Sequence, residues 1–455
     1  MVQLSTLARI LAPEDYGLAA MVWVILGFVA AFNDFGLNSA YVQRQDVTPE
    51  QRSSLYWLNV GVSLGLTILV IAASPLVAWY FHDGRLVSLV MMSSVTLILG
   101  ALGQQVKMDS EKALDFRPVV LVEIGGALLG FASAIITALI GWGVYSLIFS
   151  VVVGAFSSTA LLWIFVARGW RPLWRFKVED VKPYLGFGVA VVGNSIANRI
   201  NMSVDLLLGG RLLGATQLGY YSVPRQLMLN LQLMLNPIVT RVGFPLIAKI
   251  QDDILQVRTI YLRTLNMTAS VSAPLYLAFT FWAPDIVQVL LGKNWSNSID
   301  FLRILAVWGF LRAVVSHRGS LMMGMGRADM ALKWNFGFIF VSIPALWMGV
   351  AFYGQEGLAW ALLSLYVIMF IPGWLFIVRP LCQASLVQYC KSALSPMLIA
   401  ILALLPAYLL GLFVEEAIFR LFIAFIFGGS FYLALSRKMN SDFVFVLLKL
   451  VKQQR

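Results

Sequence analysis

The chain is 455 residues long, 60% hydrophobic and only 12% charged, with a mean hydropathy of +0.83, whereas a soluble globular protein carries about 25% charge. This composition is that of an integral membrane protein, and the surplus of 33 Lys and Arg over 22 Asp and Glu sits between apolar stretches, a topology signal and not a nucleic-acid surface. Two Cys and two His in the whole chain exclude a disulfide framework and a metal cluster, and with them a zinc or redox enzyme.

Residues 1–11 lack the basic, apolar and cleavage regions of a secretory signal. Apolar spans then follow near residues 17–41, 55–81, 86–102, 119–140 and 142–166. A basic stretch, Arg168 to Lys177, interrupts them. Spans resume near 184–208, 217–240, 265–281, 301–325, 331–353 and 358–378, with two more near 395–414 and 421–435. These runs are apolar on all sides, so they are helices; barrel strands would alternate apolar and polar over about 10 residues. The fold class is all-α and polytopic.

Lys and Arg crowd alternate connections, among them Lys107, Lys112 and Arg117, then Arg168 to Lys182, then Arg241 to Arg263, and Arg437 to Arg455 at the end. The opposite connections hold only Arg85, Arg211, Lys293 and Arg420. The crowded side is cytoplasmic by the positive-inside rule, and the C-terminus lies there.

An ungapped internal repeat lays Ala8-Arg9-Ile10-Leu11-Ala12-Pro13-Glu14-Asp15-Tyr16-Gly17 over Gly210-Arg211-Leu212-Leu213-Gly214-Ala215-Thr216-Gln217-Leu218-Gly219. Both copies fall on the non-cytoplasmic side, as two lobes related by an axis along the membrane normal require. The division expected is an N-terminal lobe over 1–167, a basic cytoplasmic linker over 168–183, a C-terminal lobe over 184–382, and two further helices with a basic tail over 383–455. Arg211 follows a complete span and Arg9 does not; the reading adopted is a truncated first helix, the alternative being thirteen spans and an external N-terminus.

Ionisable groups inside spans cost about 2.5 kcal/mol or more and face a protein or water-filled interior. Asn194, Asn198, Asn201 and Asp205 recur at helical spacing on one face, with Arg199 beside them. Asp34, Asn38 and Tyr41 share a phase in the first full span, with Asn33 adjacent. Arg225, Gln232 and Asn236 share a face of the helix after Gly219, with Gln226 and Asn230 close by, and Arg312 lies near the centre of the span from Phe301. The plainer reading of the amides is interhelical hydrogen bonding. For Arg199, Arg225 and Arg312 it is weaker, because acids at that depth, Asp34 and Asp205, are fewer. Guanidinium groups left over donate bidentately to phosphate oxygens and suit an anionic cargo such as a lipid diphosphate. Asp34 and Asp205 are the candidates for a coupling proton or sodium ion; no other cofactor and no metal is expected.

Ala8 to Gly17, then Asp34-Phe35-Gly36-Leu37, Phe244-Pro245-Leu246-Ile247-Ala248, Gly292-Lys293-Asn294-Trp295 and Gly324-Met325-Gly326-Arg327-Ala328-Asp329 resemble, in order and spacing, the polysaccharide-repeat flippases of the multidrug, oligosaccharidyl-lipid and polysaccharide exporter superfamily. The likeness is to the subgroup exporting exopolysaccharide, including colanic-acid-type, repeat units. It implies a bacterial inner-membrane protein with two six-helix lobes around a central cavity plus two C-terminal helices. It implies a flippase that carries undecaprenyl-diphosphate-linked oligosaccharide to the periplasmic leaflet by alternating access, with cavity arginines on the diphosphate, and a polysaccharide polymerase and export machinery as partners. An organic-cation antiporter of the same superfamily is the alternative; it should carry more acids than arginines. A membrane-embedded polymerase or ligase would need a sizeable external loop, and the connections at 81–85, 140–142 and 353–357 are short.

Overall fold

A computed structural model describes residues 2–33, 41, 44, 46–167, 169–441 and 443–445, with backbone alone at 31, 33, 183, 185–195 and 236–245. Within them each span anticipated from the sequence falls on helix. In lipid every backbone N–H must be satisfied within its own segment, which is why long apolar runs become helices. After a short helix α1 (Val2–Ala8) come α2 (Pro13–Asn33), α3 (Pro49–Phe81), α4 (Leu86–Lys112), α5 (Phe116–Leu139) and α6 (Val144–Leu161). Next are α7 (Val178–Lys249), α8 (Ile254–Phe281), α9 (Ala283–Leu290), α10 (Ser298–Val315), α11 (His317–Gly324) and α12 (Ala328–Ile368). The chain closes with α13 (Phe370–Gly373), α14 (Arg379–Cys382), α15 (Leu386–Gly411), α16 (Ala417–Ile423) and α17 (Gly429–Met439).

Two of these helices are broken inside by glycines. Gly214 breaks α7 with φ 78° and ψ 178°, and Gly354 breaks α12 with φ 58° and ψ −139°. Both conformations are open only to glycine at low cost, so each long helix is two helical segments meeting at a turn. Among the described residues, eight helical segments are long and apolar enough to cross a membrane, or nine with the pair α8 and α9, which meet at 82°. The two halves of α7 and the helix α10 carry the polar residues of interest, Arg199, Asp205, Arg225 and Arg312.

By contact density the helices fall into two compact units, one from Val2 to Gly219 and the other beginning at Tyr220. In the first, α5 and α6 pack through small residues: a β-carbon on Gly130 would lie 2.7 Å from the Ser150 carbonyl oxygen, a close approach of the kind that holds membrane helices together. The basic linker is fastened to the start of α3. Trp57 Nε1 donates to the Leu173 carbonyl at 2.8 Å, Leu173 N donates to Ser53 Oγ, and Ser54 Oγ donates to Asp180. Leu55, Met108, Val181, Tyr184 and Tyr41 form a buried cluster beneath it. Thr48 and Gln51 cap α3 reciprocally, as Ser385 and Gln388 cap α15.

In the second unit α8 is central, packed against α10 and α15. The last span, residues 417–439, is tied to α8 and α9 by polar contacts. Tyr432 Oη donates to the Ser270 carbonyl at 2.7 Å, and Arg420 pairs with the buried Asp285 at 2.8 Å.

Candidate functional site

On the first half of α7 the predicted polar face is exposed at Asn198, half-buried at Asn201 and buried at Asp205. Arg199, one position on, is exposed. Its guanidinium lies against α2, where a β-carbon on Gly27 would be 3.5 Å from its Cδ and Nη1. The glycine thus leaves a flat floor for the planar group. Among the described residues Arg199 makes no ion pair and no hydrogen bond, while Asp205 and Arg225, both buried, are engaged. Asp34 and Asn38 lie outside the described residues, and the side chains of Asn33, Asn194 and Asn236 do too.

In the second unit Arg312 of α10 donates from Nε to Oε1 of the buried Gln232 on α7, at 2.9 Å. The guanidinium carbon sits 5.3 Å from the centre of the Trp308 ring. A neutral amide acceptor and an aromatic face orient the group while leaving its charge in place. Among the described residues no carboxylate pairs with it, whereas its neighbour Arg303 pairs with Asp300. Gln226 and Asn230 bond to each other one turn along the second half of α7.

Arg318, near the end of the same span, has a different environment. It is 5% exposed and donates to the carbonyls of Met369 and Phe370 and to the Tyr389 hydroxyl. Gly373 packs on its guanidinium. This arginine joins three helices, and each of its three guanidinium nitrogens donates a hydrogen bond. Arg211, which the repeat singles out, donates to the Tyr80 carbonyl at the end of α3, a cation at a helix C-terminus.

A third cluster was not anticipated. At the linker end of the first unit a cavity of about 470 Å³ is lined by Arg52, Asp109, Ser110, Asp115 and Trp170. Arg52 pairs with Asp109, which also accepts from the Tyr41 hydroxyl, and stacks 4.0 Å over Trp170. Trp163 stacks with Trp170 in turn. Arg52 and Asp109 are 57 residues apart and Trp170 lies 61 beyond Asp109, so helical spacing gives no signal. With its cation paired and its ring stacked, the cluster serves to seat the linker. At the opposite end, in the connection after α3, Arg85 bridges Glu14 and Asp83, and its hydrogen bond holds the Asp83 carboxyl below the usual carboxylate range.

What the two unpaired arginines can do is donate hydrogen bonds to an anion from helices buried in a membrane protein. Among the described residues no three His, Cys, Asp or Glu converge as metal ligands.

Comparison with known proteins agrees in kind. The model of the "Polysaccharide biosynthesis protein" family matches residues 6–300. The chain is 29% identical over 412 residues to the lipopolysaccharide biosynthesis protein WzxC of Escherichia coli, covering 90% of this chain and 84% of that one. It is 30% identical over 407 residues to the teichuronic acid biosynthesis protein TuaB of Bacillus subtilis, covering 88% and 84%. Its fold is that of a lipid II flippase, MurJ, in an inward closed conformation, with a TM-score of 0.77 over 97% of both chains at 14% identity. An inward-facing multidrug transporter superposes at 0.63, over 85% of this chain and 96% of that one, at 13% identity. Membrane helices, basic groups within them and a family match over more than half the chain converge, and the chain belongs to the polysaccharide biosynthesis protein family.

Proposed function

We propose that the protein is a flippase for undecaprenyl-diphosphate-linked oligosaccharide repeat units, carrying them from the cytoplasmic to the periplasmic leaflet of a bacterial inner membrane for surface or exopolysaccharide synthesis. The observation that carries this is the state of Arg199 and Arg312, span cations with no carboxylate partner among the described residues. A diphosphate-sugar head cannot enter hydrocarbon because its desolvation is prohibitive. Guanidinium donors and amides such as Asn198 and Asn201 replace that water while the lipid tail stays in the bilayer. Two six-helix lobes, 1–167 and 184–382, would alternate access around the bound head, with the 168–183 linker and the C-terminus cytoplasmic and the 383–455 helices appended. Arg225 would engage the head as the lobes rearrange, and Asp34 or Asp205 would bind the coupling proton or sodium ion. The relatives' printed roles in lipopolysaccharide and teichuronic acid biosynthesis support an anionic glycolipid cargo, received upstream of a polymerase and export machinery.

The test is a knockout complemented with the wild type and with Arg199→Ala, Arg225→Ala and Arg312→Ala, scoring surface polymer and lipid-linked intermediate together. Restored polymer with wild type, and accumulated intermediate with the variants, supports the reading. A wild type that changes neither, but alters sensitivity to cationic dyes, makes the protein an organic-cation antiporter.

A further inference from the structure

The internal repeat has a structural counterpart that transport of an anionic head does not explain. Pro13 and Gly17 lie in the first turns of α2; Ala215 and Gly219 occupy the equivalent turns after the break in α7. A β-carbon on Gly17 would fall inside the Ala215 carbonyl oxygen, and one on Gly219 inside the Pro13 carbonyl oxygen. In the repeat Gly17 aligns with Gly219 and Pro13 with Ala215. The two helix starts therefore touch backbone to backbone in a reciprocal contact, each glycine on the carbonyl of the other copy's equivalent residue. Contacts this close are made only by residues without side chains, with Cα–H groups facing carbonyl oxygens.

The surroundings of this contact are unequal. The α2 side is held firmly: Ala12 N donates to Asp15 Oδ2 at 2.9 Å, and Glu14 pairs with Arg85. The end of the first half of α7 is also held, since Gly210 abuts Phe81 and Met21, and Arg211 bonds to Tyr80. Between that anchored end and the contact stands Gly214, at positive φ, with nothing within 4 Å of where its β-carbon would be. The chain is free to turn there.

We infer that Gly17 and Gly219 form a latch closing the non-cytoplasmic end, in the orientation given by the Lys and Arg distribution, and that Gly214 is the hinge on which the helix beginning at Ala215 swings away to open it. The inference deepens the proposed function by naming its exit gate, and rests on that reading only for what leaves through it. Repeat symmetry makes the two glycines equivalent, so their replacements must act alike.

The experiment places nitroxide labels at Ile10 and Thr216, both exposed beside the latch, in a Cys382→Ala, Cys390→Ala background, and measures their separation by electron spin resonance in purified protein without cargo. Wild type gives one dominant short distance. Gly17→Ala and Gly219→Ala each raise the ratio of the longer to the shorter population by at least about tenfold, and the double variant adds little, because one contact is lost once. Gly65→Ala, whose β-carbon meets nothing within 4 Å, is the control and leaves the distance unchanged. Either latch variant suffices if the other does not accumulate. Folded variants that keep the wild-type distance overturn the latch, as does a wild type already dominated by the long separation. Because no cargo is present, a shifted distance together with a failed complementation would leave the latch standing and remove the flippase reading.

Discussion

Replacing Arg318 should cost stability first and transport only as a consequence. The guanidinium is 5% exposed and donates at 3.0 to 3.3 Å to the Tyr389 hydroxyl and the Met369 and Phe370 carbonyls. It also lies 5.8 Å from the Trp334 ring centre and 5.9 Å from that of Phe370. Interhelical hydrogen bonds in membrane proteins are worth about 0.6 kcal/mol each and at most about 1.7, and each cation–ring contact about 0.5–1 kcal/mol. Three acceptors and two rings therefore make Arg318→Ala cost about 3–5 kcal/mol. Lysine keeps the charge but lacks the planar fork, so Arg318→Lys should cost about half of that. The assay is equilibrium unfolding in mixed detergent micelles, followed by tryptophan fluorescence. Gly373→Ala supplies an internal check, since its β-carbon would occupy the place of Nη1. It should destabilise alone yet add little to Arg318→Ala, a coupling that a double-mutant cycle reads directly. A loss below about 1 kcal/mol, or normal stability with abolished transport, would refute a structural role and place Arg318 among the cargo-binding cations.

Gln232→Glu would face the Arg312 Nε with a carboxylate and neutralise it, so lipid-linked intermediate should accumulate more than with Gln232→Ala; equal accumulation would argue against an anionic cargo at Arg312. Asp285→Asn leaves Arg420 facing a neutral amide and should cost about 1–3 kcal/mol, measured as earlier micellar unfolding and as faster protease release of the segment from Leu386 onward; the pair is partly exposed on the arginine side, which keeps the figure at the low end. Asp83, outside the spans, has its folded pKa depressed by Arg85. Its contribution is fully present above the unfolded carboxyl value of about 4 and is lost as pH falls through the lower folded value; Asp83→Asn should abolish that acid-side change in an unfolding pH series and leave the pH 6–8 stability slope unaltered.

The helices were legible because the bilayer imposes one requirement on every crossing segment, a long apolar run with no unpaired backbone. Polar faces were legible for the same reason, since Asn198, Asn201 and Asp205 stand out only against such a background. What a single helix cannot display is which acceptors another helix brings. Arg312 and Arg318 are six residues apart on adjoining helices, equally conspicuous in the sequence. One meets a lone amide from Gln232, while the other is enclosed by backbone carbonyls some 50 residues downstream. Each of those carbonyls also keeps its helical donor, Met369 accepting from Gly373 N and Phe370 from Trp374 N, so the arginine uses their remaining lone pairs. Composition carries no mark of that shared use. The repeat shows the converse case: ten aligned residues predicted equivalent positions, and equivalence alone allows two glycines to be far apart. Their contact follows from a further condition, that both copies begin a helix at the same end and neither carries a side chain at its fifth residue. Sequence equivalence becomes physical contact where nothing but backbone stands between the copies, and for that reason a single methyl group is a sufficient probe of whether the approach is used.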